Sequence, residues 1–107
     1  MDWKLTTRAF GDLTDGTFTR SQVERILNAL DRLAGEANPI AAWNVCPLRF
    51  TDEQCYRLKI VDDVVSARVC FEVWEDKKII AVWGVFKRCE NTYIWAEIRH
   101  NLQEAIR

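Results

Sequence analysis

Three apolar segments with a period of two residues dominate the second half of the chain. They run over Cys55–Val61, Val64–Trp74 and Lys78–Lys87, and they are rich in Val, Ile, Phe, Tyr and Trp. Short polar joints, Asp62-Asp63 and Glu75-Asp76-Lys77, separate them at the spacing of β-hairpins. The sequence therefore predicts an antiparallel meander of three strands.

A helix is predicted before the meander. Thr19 and Gln22 have the spacing of a capping box, in which each side chain accepts a backbone N–H of the first turn. Apolar residues then recur at helical spacing from Val23 to Ala34. Gly35 is predicted to end this helix in a left-handed conformation.

The remaining segments complete the predicted layout. Trp3–Phe10 is predicted to form a short strand, and Gly11–Gly16 is predicted to form a loop or a single helical turn. Another short strand is predicted around Val45–Phe50. An apolar stripe predicts a closing helix over Tyr93–Arg107. The predicted fold is α+β, with an N-terminal helix or helices packed on a twisted antiparallel sheet of three or four strands and a C-terminal helix. Helices are expected to cover one face of this sheet and to leave the other face open to a ligand.

Composition sets limits on the class of protein. The 107 residues, 49% apolar and 29% charged, predict a single folded domain over residues 1–107. The formal net charge of -1 gives no support for a generic polyanion binder, so any nucleic-acid site must be a local patch. No apolar run is long enough for a membrane span and the start lacks a signal-peptide layout, so the cytoplasm and no membrane partner are expected.

The cysteines and the histidine do not form a metal-binding pattern. The four cysteines contain no C-x-x-C pair, and the single histidine lies far from them in sequence: Cys46, Cys55, Cys70, Cys89 and His100. We therefore expect reduced thiols, a solvated surface histidine, no metal and no cofactor. Trp43, Trp74 and Trp83 are predicted to pack in the core or at the sheet edges.

Positive side chains recur on the predicted meander. Arg57 and Lys59 point to one face of their strand, and the hairpin can bring Arg68 to the same surface. Lys87 and Arg88 end the third strand. Such residues also occur on solvated sheets, where they block edge-to-edge aggregation.

The same segments resemble a known family of bacterial proteins. Their order resembles the successive signatures of the RelE/ParE superfamily of toxins from type II toxin–antitoxin pairs. The matching segments are Cys55–Ile60, Ala67–Val73, Val85–Arg88 and Tyr93. The resemblance is closest to the RelE/HigB ribonuclease branch of that superfamily. The resemblance implies a RelE-like fold, a cognate antitoxin as partner, and metal-independent cleavage of mRNA in the ribosomal decoding site. The ribose 2′-hydroxyl would attack the adjacent phosphate and leave a 2′,3′-cyclic phosphate.

The resemblance also implies the site residues. Arg57 and Lys59 match the two basic positions of a strand in that family, and Arg68 matches the arginine of the following strand. Arg88 matches the family's basic pair at the end of the last strand. Tyr93 lies near the position where the family has an aromatic residue that stacks on a base. Arginines suit phosphate clamping because they keep their charge and donate in a fixed fork. Like charges crowd Lys59 and favour its neutral form, so it is the candidate general base. Arg57 is assigned to phosphate binding or proton transfer, and Lys87 to substrate binding.

Two other functions remain open on the same fold. One is a ParE-like toxin that binds a topoisomerase, and the other is a non-catalytic member that acts as a binding module or repressor partner. Cations converging on an open sheet face favour the ribonuclease, whereas the acidic charge balance favours the binding module.

Overall fold

A computed structural model describes residues 1–48 and 55–87 of the chain. Its elements, in chain order, are β1 (Asp2–Leu5), α1 (Thr7–Thr14), α2 (Arg20–Ala34), the 3-10 turn η1 (Pro39–Ala41), β2 (Val45–Pro47), β3 (Cys55–Val61), β4 (Ser66–Trp74) and β5 (Ile79–Phe86). The strands form one sheet in the order β1-β5-β4-β3-β2. All neighbours are antiparallel except β1 and β5, which are parallel.

The α+β prediction is confirmed, but the sheet has five strands within residues 1–48 and 55–87, rather than the predicted three or four. The predicted meander forms as β3, β4 and β5, and the strand expected around Val45–Phe50 is the short β2. The position of β1 at the opposite edge of this sheet could not be predicted from the sequence, because its partner β5 lies over 70 residues away. The predicted closing helix over Tyr93–Arg107 lies outside the described residues.

The β3–β4 hairpin is set by its aspartate turn. Asp62 Oδ1 accepts the backbone N–H groups of Val64 and Val65, at 2.7 and 2.8 Å. A side chain that accepts from the residues just after it closes a turn without help from other elements. Asp62 Oδ2 also lies 3.4 Å from Arg25 on α2, so the same residue links the hairpin to a helix.

The prediction of a strand over Trp3–Phe10 was wrong beyond Leu5, where α1 begins instead. Thr6 is the reason for this switch, because its Oγ1 accepts the Ala9 N–H at 3.1 Å and caps the helix. The same hydroxyl donates to the Trp83 carbonyl at 3.1 Å. Asp12 Oδ2 accepts the Val85 N–H at 3.0 Å, so two polar contacts hold α1 on β5.

The α2 prediction is confirmed, including its capping box. Thr19 N–H donates to Gln22 Oε1 at 2.9 Å, and Gln22 N–H donates to Thr19 Oγ1 at 3.2 Å. The expected left-handed cap at Gly35 was wrong, since its φ is -80°. Its N–H donates to the carbonyls of Asp31 and Arg32, so the last turn tightens without a left-handed residue.

The hydrophobic core lies between α1 and α2 and one face of the sheet, here called the inner face. Alternation along the strands turns Leu58, Val69 and Val82 toward the helices, where they are at most 2% exposed. The opposite face of the sheet, here called the outer face, carries the side chains that alternate with them. It holds the residues from which the candidate site is built.

Candidate site: cations on the outer face of the sheet

Strand pairing brings three of the predicted cations together. Lys59 on β3 lies directly opposite Arg68 on β4, and Arg57 lies two residues before Lys59. Directly opposed residues of antiparallel strands point to the same face, with Cβ atoms roughly 5 Å apart. Arg57, Lys59 and Arg68 therefore share the outer face, and we call them the cationic triad.

No salt bridge within the described residues neutralises the cationic triad. The ion pairs found there are Arg8–Asp12, Arg20–Glu24 and Arg25–Asp62. Lys59 is exposed and Arg57 and Arg68 are half-buried, so their charges are available to a ligand from solvent. Three close cations without acidic partners in this part of the chain create a local positive field despite the net charge of -1.

Arg57 is held partly out of solvent by the edge strand β2. Its Nη2 donates to Cys46 Sγ at 3.6 Å, and Cys46 lies directly opposite it on β2. Its Nε is buried and has no hydrogen-bond partner within the described part of the structure. A buried donor without an acceptor costs about 1–3 kcal/mol. An anionic oxygen bound beside Arg57 would offset that cost.

Lys87 joins Arg68 from a different strand. The two side chains line one cleft of about 470 Å³ with Gln22, Val65 and Ser66. Lys87 follows β5, and its ammonium lies 5.9 Å from the centre of the Phe18 ring, a cation–π distance. The end of β5 thus places a further positive group in the same cleft as Arg68.

The outer face is only partly open, which corrects the expectation that helices would leave it free. Cys70 and Trp83 are fully buried there, and Glu72 is 8% exposed. A register shift pairs Cys70 with Gly84 but Phe71 with Val82, so Trp83 is the extra residue of a β-bulge. Trp83 Nε1 donates to Glu72 Oε2 at 3.2 Å. The accessible part of the face is therefore the end that carries the triad.

The three tryptophans have different environments. Trp83 packs in the interior and Trp74 is half-buried, as expected. The prediction for Trp43 was wrong, because its side chain is 95% exposed. Trp43 lies between η1 and the short strand β2, and no periodic pattern in that irregular segment reports the direction of its side chain.

Arg88, Tyr93 and His100 lie outside the described residues, and their assignments stay predictions. Within residues 1–48 and 55–87, no group of three or more His, Cys, Asp or Glu side chains is arranged to hold a metal ion. No helix of that same part is long and apolar enough to cross a membrane.

Comparison with known proteins points to one fold. No protein-family model matches the sequence, and no curated protein sequence matches it. Two solved structures are similar: a mutant of the Escherichia coli toxin RelE in the free state, and the intact E. coli RelBE toxin–antitoxin complex. The first has a TM-score of 0.63 at 18% identity and covers 98% of this chain and 96% of that one. The second has a TM-score of 0.63 at 19% identity and covers 82% of this chain and 96% of that one.

These similarities define the class of the fold. The chain has a RelE-like α+β fold, as the sequence resemblance implied. At 18–19% identity the likeness concerns the fold, and chemistry must be argued from the site.

Proposed function

We propose that this chain is a toxin of a type II toxin–antitoxin pair that acts in the cytoplasm as a metal-independent mRNA endoribonuclease. The observation that carries the proposal is the direct pairing of Lys59 with Arg68 on the accessible end of the outer face. Arg57 lies beside this pair, and Lys87 borders it at the end of β5. The RelE-like fold and the RelBE complex among the similar structures support a toxin and a protein antitoxin.

The chemistry needs a base, a proton for the leaving group and positive charge around one phosphate. The 2′-oxygen forms a bond to phosphorus as its proton passes to Lys59, the proposed general base. The bond from phosphorus to the 5′-oxygen breaks, and the departing oxygen takes up a proton from a water molecule. One product ends in a 2′,3′-cyclic phosphate and the other in a 5′-hydroxyl.

The arginines act on the negative charge of the phosphate. Arg68 has the planar fork of donors that stabilises the phosphoryl oxygens as their charge grows. Arg57 is half-buried on the same face and adds a further positive charge beside the phosphate. Lys87 is assigned to the substrate strand as a point charge. By resemblance, Arg88 adds to the phosphate clamp and Tyr93 stacks on a base.

Ribosome dependence is part of the proposal and follows from the resemblance. A chain with a net charge of -1 gains little affinity for RNA from its overall field. Binding to mRNA that the ribosome already holds would lessen that requirement, since the strand is then ordered before the protein arrives. We therefore propose ribosome-bound mRNA as the substrate.

Induced expression in bacterial cells tests the proposed function. The wild-type chain is expected to arrest growth and to generate mRNA fragments with 2′,3′-cyclic phosphate ends. The Arg68→Ala variant should do neither, whereas Lys4→Ala, which removes an exposed cation on β1, should behave as wild type. Growth arrest with topoisomerase-linked DNA breaks and intact mRNA would identify a ParE-like toxin instead. Normal growth with intact mRNA would identify a binding module.

A further inference from the structure

Trp43 is the most exposed of the large apolar side chains in the described part of the chain, at 95%. The others of this set are Phe10, Ile40 and Val61, at 59%, 37% and 58%. An indole left almost wholly in water loses the packing energy that tryptophan usually supplies. A surface that a binding partner covers would account for it.

The backbone next to Trp43 is fixed to the cationic triad. Lys59 N–H donates to the Asn44 carbonyl at 2.9 Å, and Asn44 Nδ2 donates to the Lys59 carbonyl at 3.2 Å. Two hydrogen bonds between the same residues hold the segment after η1 against β3. Trp43 therefore directly precedes Asn44, which forms two hydrogen bonds with the backbone of Lys59, the proposed general base.

Trp43 and Lys59 line one cleft of about 520 Å³ between the end of α2, η1 and β3. Its floor includes Leu33 and Ile60, and Arg32 lies on the α2 wall. A volume of this size is within the range of small-ligand sites. The lining thus combines one aromatic side chain with two basic residues, which are the residue types that bind a base and its phosphates in single-stranded nucleic acid.

The acidic groups of this cleft are Glu36 and Asp62. Asp62 is already engaged by Arg25 at 3.4 Å and by two backbone N–H groups of its turn. These N–H groups, from Val65 first and Val64 second, lower the pKa of Asp62 and keep it ionised while they compensate its charge. The charge of Arg32 also acts on Asp62, and Glu36 is the second acidic residue of the lining.

We propose that the Trp43 cleft holds a nucleotide of the RNA that flanks the scissile phosphate, with its base stacked on the indole and its phosphates near Lys59 and Arg32. The inference rests on the proposed endoribonuclease function and names a further contact of that site. Lys59 belongs both to the lining of the cleft and to the cationic triad, so a strand of RNA that passes over the edge of β3 would contact both. This shared residue favours RNA over a protein segment.

The test compares Trp43→Ala with Trp43→Tyr, using a short single-stranded RNA and ribosome-bound mRNA. Loss of one stacking contact should raise the Kd for the oligonucleotide, and the KM for cleavage, by about tenfold. The kcat should stay within twofold, because Trp43 does not contact the reacting atoms. Trp43→Tyr should retain most of the affinity. Phe10→Ala, which removes another exposed aromatic side chain, is the matched control.

The outcomes separate this inference from the proposed function. Wild-type affinity and KM in Trp43→Ala would overturn the stacking site and leave the nuclease standing. A wild-type chain that binds the oligonucleotide through Trp43 but cleaves no RNA would support the stacking site and overturn the nuclease. A change in sedimentation from dimer to monomer in Trp43→Ala, with unchanged RNA binding, would overturn the inference and assign Trp43 to self-association. Loss of binding to a protein antitoxin, again with unchanged RNA binding, would overturn it in favour of a protein partner.

Discussion

The inner and outer faces of the sheet come from the same strands and have opposite contents. On β3, Leu58 and Ile60 turn inward and are buried against the helices, whereas Arg57 and Lys59 turn outward. On β4, Val69 is buried on the inner face and its neighbour Arg68 is on the outer face. At these positions the inner face packs the core, whereas the accessible end of the outer face supplies charge for a ligand.

Because the two faces alternate along each strand, substitutions at adjacent residues should affect either stability or activity, but not both. A change on the inner face removes packing from a core that has few voids, so it destabilises the whole domain. A change in the cationic triad removes a charge from a partly solvated surface, so the fold should tolerate it. Substitutions at adjacent positions of β3 and β4 test this division.

The largest expected effect is on catalysis, at Lys59. Lys59→Met should lower the single-turnover rate of RNA cleavage by about 10²–10⁴-fold, because general base catalysis contributes that much. Lys59→Arg should remain as slow while it binds RNA normally, since a guanidinium keeps the charge but cannot take the proton. Cleavage at the wild-type rate by Lys59→Arg would show that Lys59 acts by charge alone.

A comparable effect on stability is expected one residue away. Leu58→Ala should lower the free energy of unfolding by about 2–5 kcal/mol, because it removes a buried side chain and leaves a cavity. Urea denaturation followed by circular dichroism measures this change. Val61→Ala on the same strand, where the side chain is 58% exposed, should stay within about 0.5 kcal/mol of wild type. Equal losses in the two variants would contradict the division into faces.

A smaller effect is expected where α1 meets β5. Thr6→Ala should cost about 0.5–2 kcal/mol of stability, because the hydroxyl caps α1 and also bonds to the Trp83 carbonyl. Thr6→Ser keeps both hydrogen bonds and should recover most of the loss. Thr7→Ala, at an exposed neighbour, is the control in the same thermal melts. If Thr6→Ser were as unstable as Thr6→Ala, packing of the methyl group would outweigh the cap.

The smallest expected effects concern the stability that two aspartates contribute, which should depend on pH in opposite directions. Burial raises the pKa of Asp12 above its ordinary 3.8, and hydrogen bonds from Val65 and Val64 lower the pKa of Asp62 below it. The stability that Asp12 contributes should therefore fall as the pH rises from 3.8 through its raised value. The stability that Asp62 contributes should be present above 3.8 and be lost as the pH falls through its lowered value.

Unfolding of Asp12→Asn and Asp62→Asn across the acid range, each compared with wild type, measures the two dependences. The difference in unfolding free energy between wild type and Asp12→Asn should shrink with rising pH, and that between wild type and Asp62→Asn should grow. Slopes of the same sign would contradict the assigned causes.

The strongest predictions from sequence came from local signals. The meander follows from alternation and from the Asp62 turn, and α2 follows from its capping box, because these patterns act within a few residues. Shared placement of Arg57, Lys59 and Arg68 also followed from alternation once the hairpin was assumed. The assumption held because the turn fixes the strand register.

Other features depended on contacts distant in sequence. The helix α1 has only eight residues and contains Gly11, a weak helix former, and its hold on β5 comes from Asp12 and Thr6. The parallel pairing of β1 with β5 likewise has no local sequence signature. Exposure of Trp43 was missed because composition favours burial of tryptophan, and its surroundings have no period from which to infer direction.

In the proposed mechanism, positive groups of the outer face act on one phosphodiester and do not support the fold. The most direct measurement is the rate of 2′,3′-cyclic phosphate formation on ribosome-bound mRNA, with the free energy of unfolding measured on the same preparations of wild type and Arg68→Ala. We predict a rate lower by about 10²–10³-fold in Arg68→Ala, with stability within about 0.5 kcal/mol of wild type. A wild-type rate in Arg68→Ala would contradict the proposed mechanism. A lower rate that is fully explained by a lower folded fraction would contradict it as well.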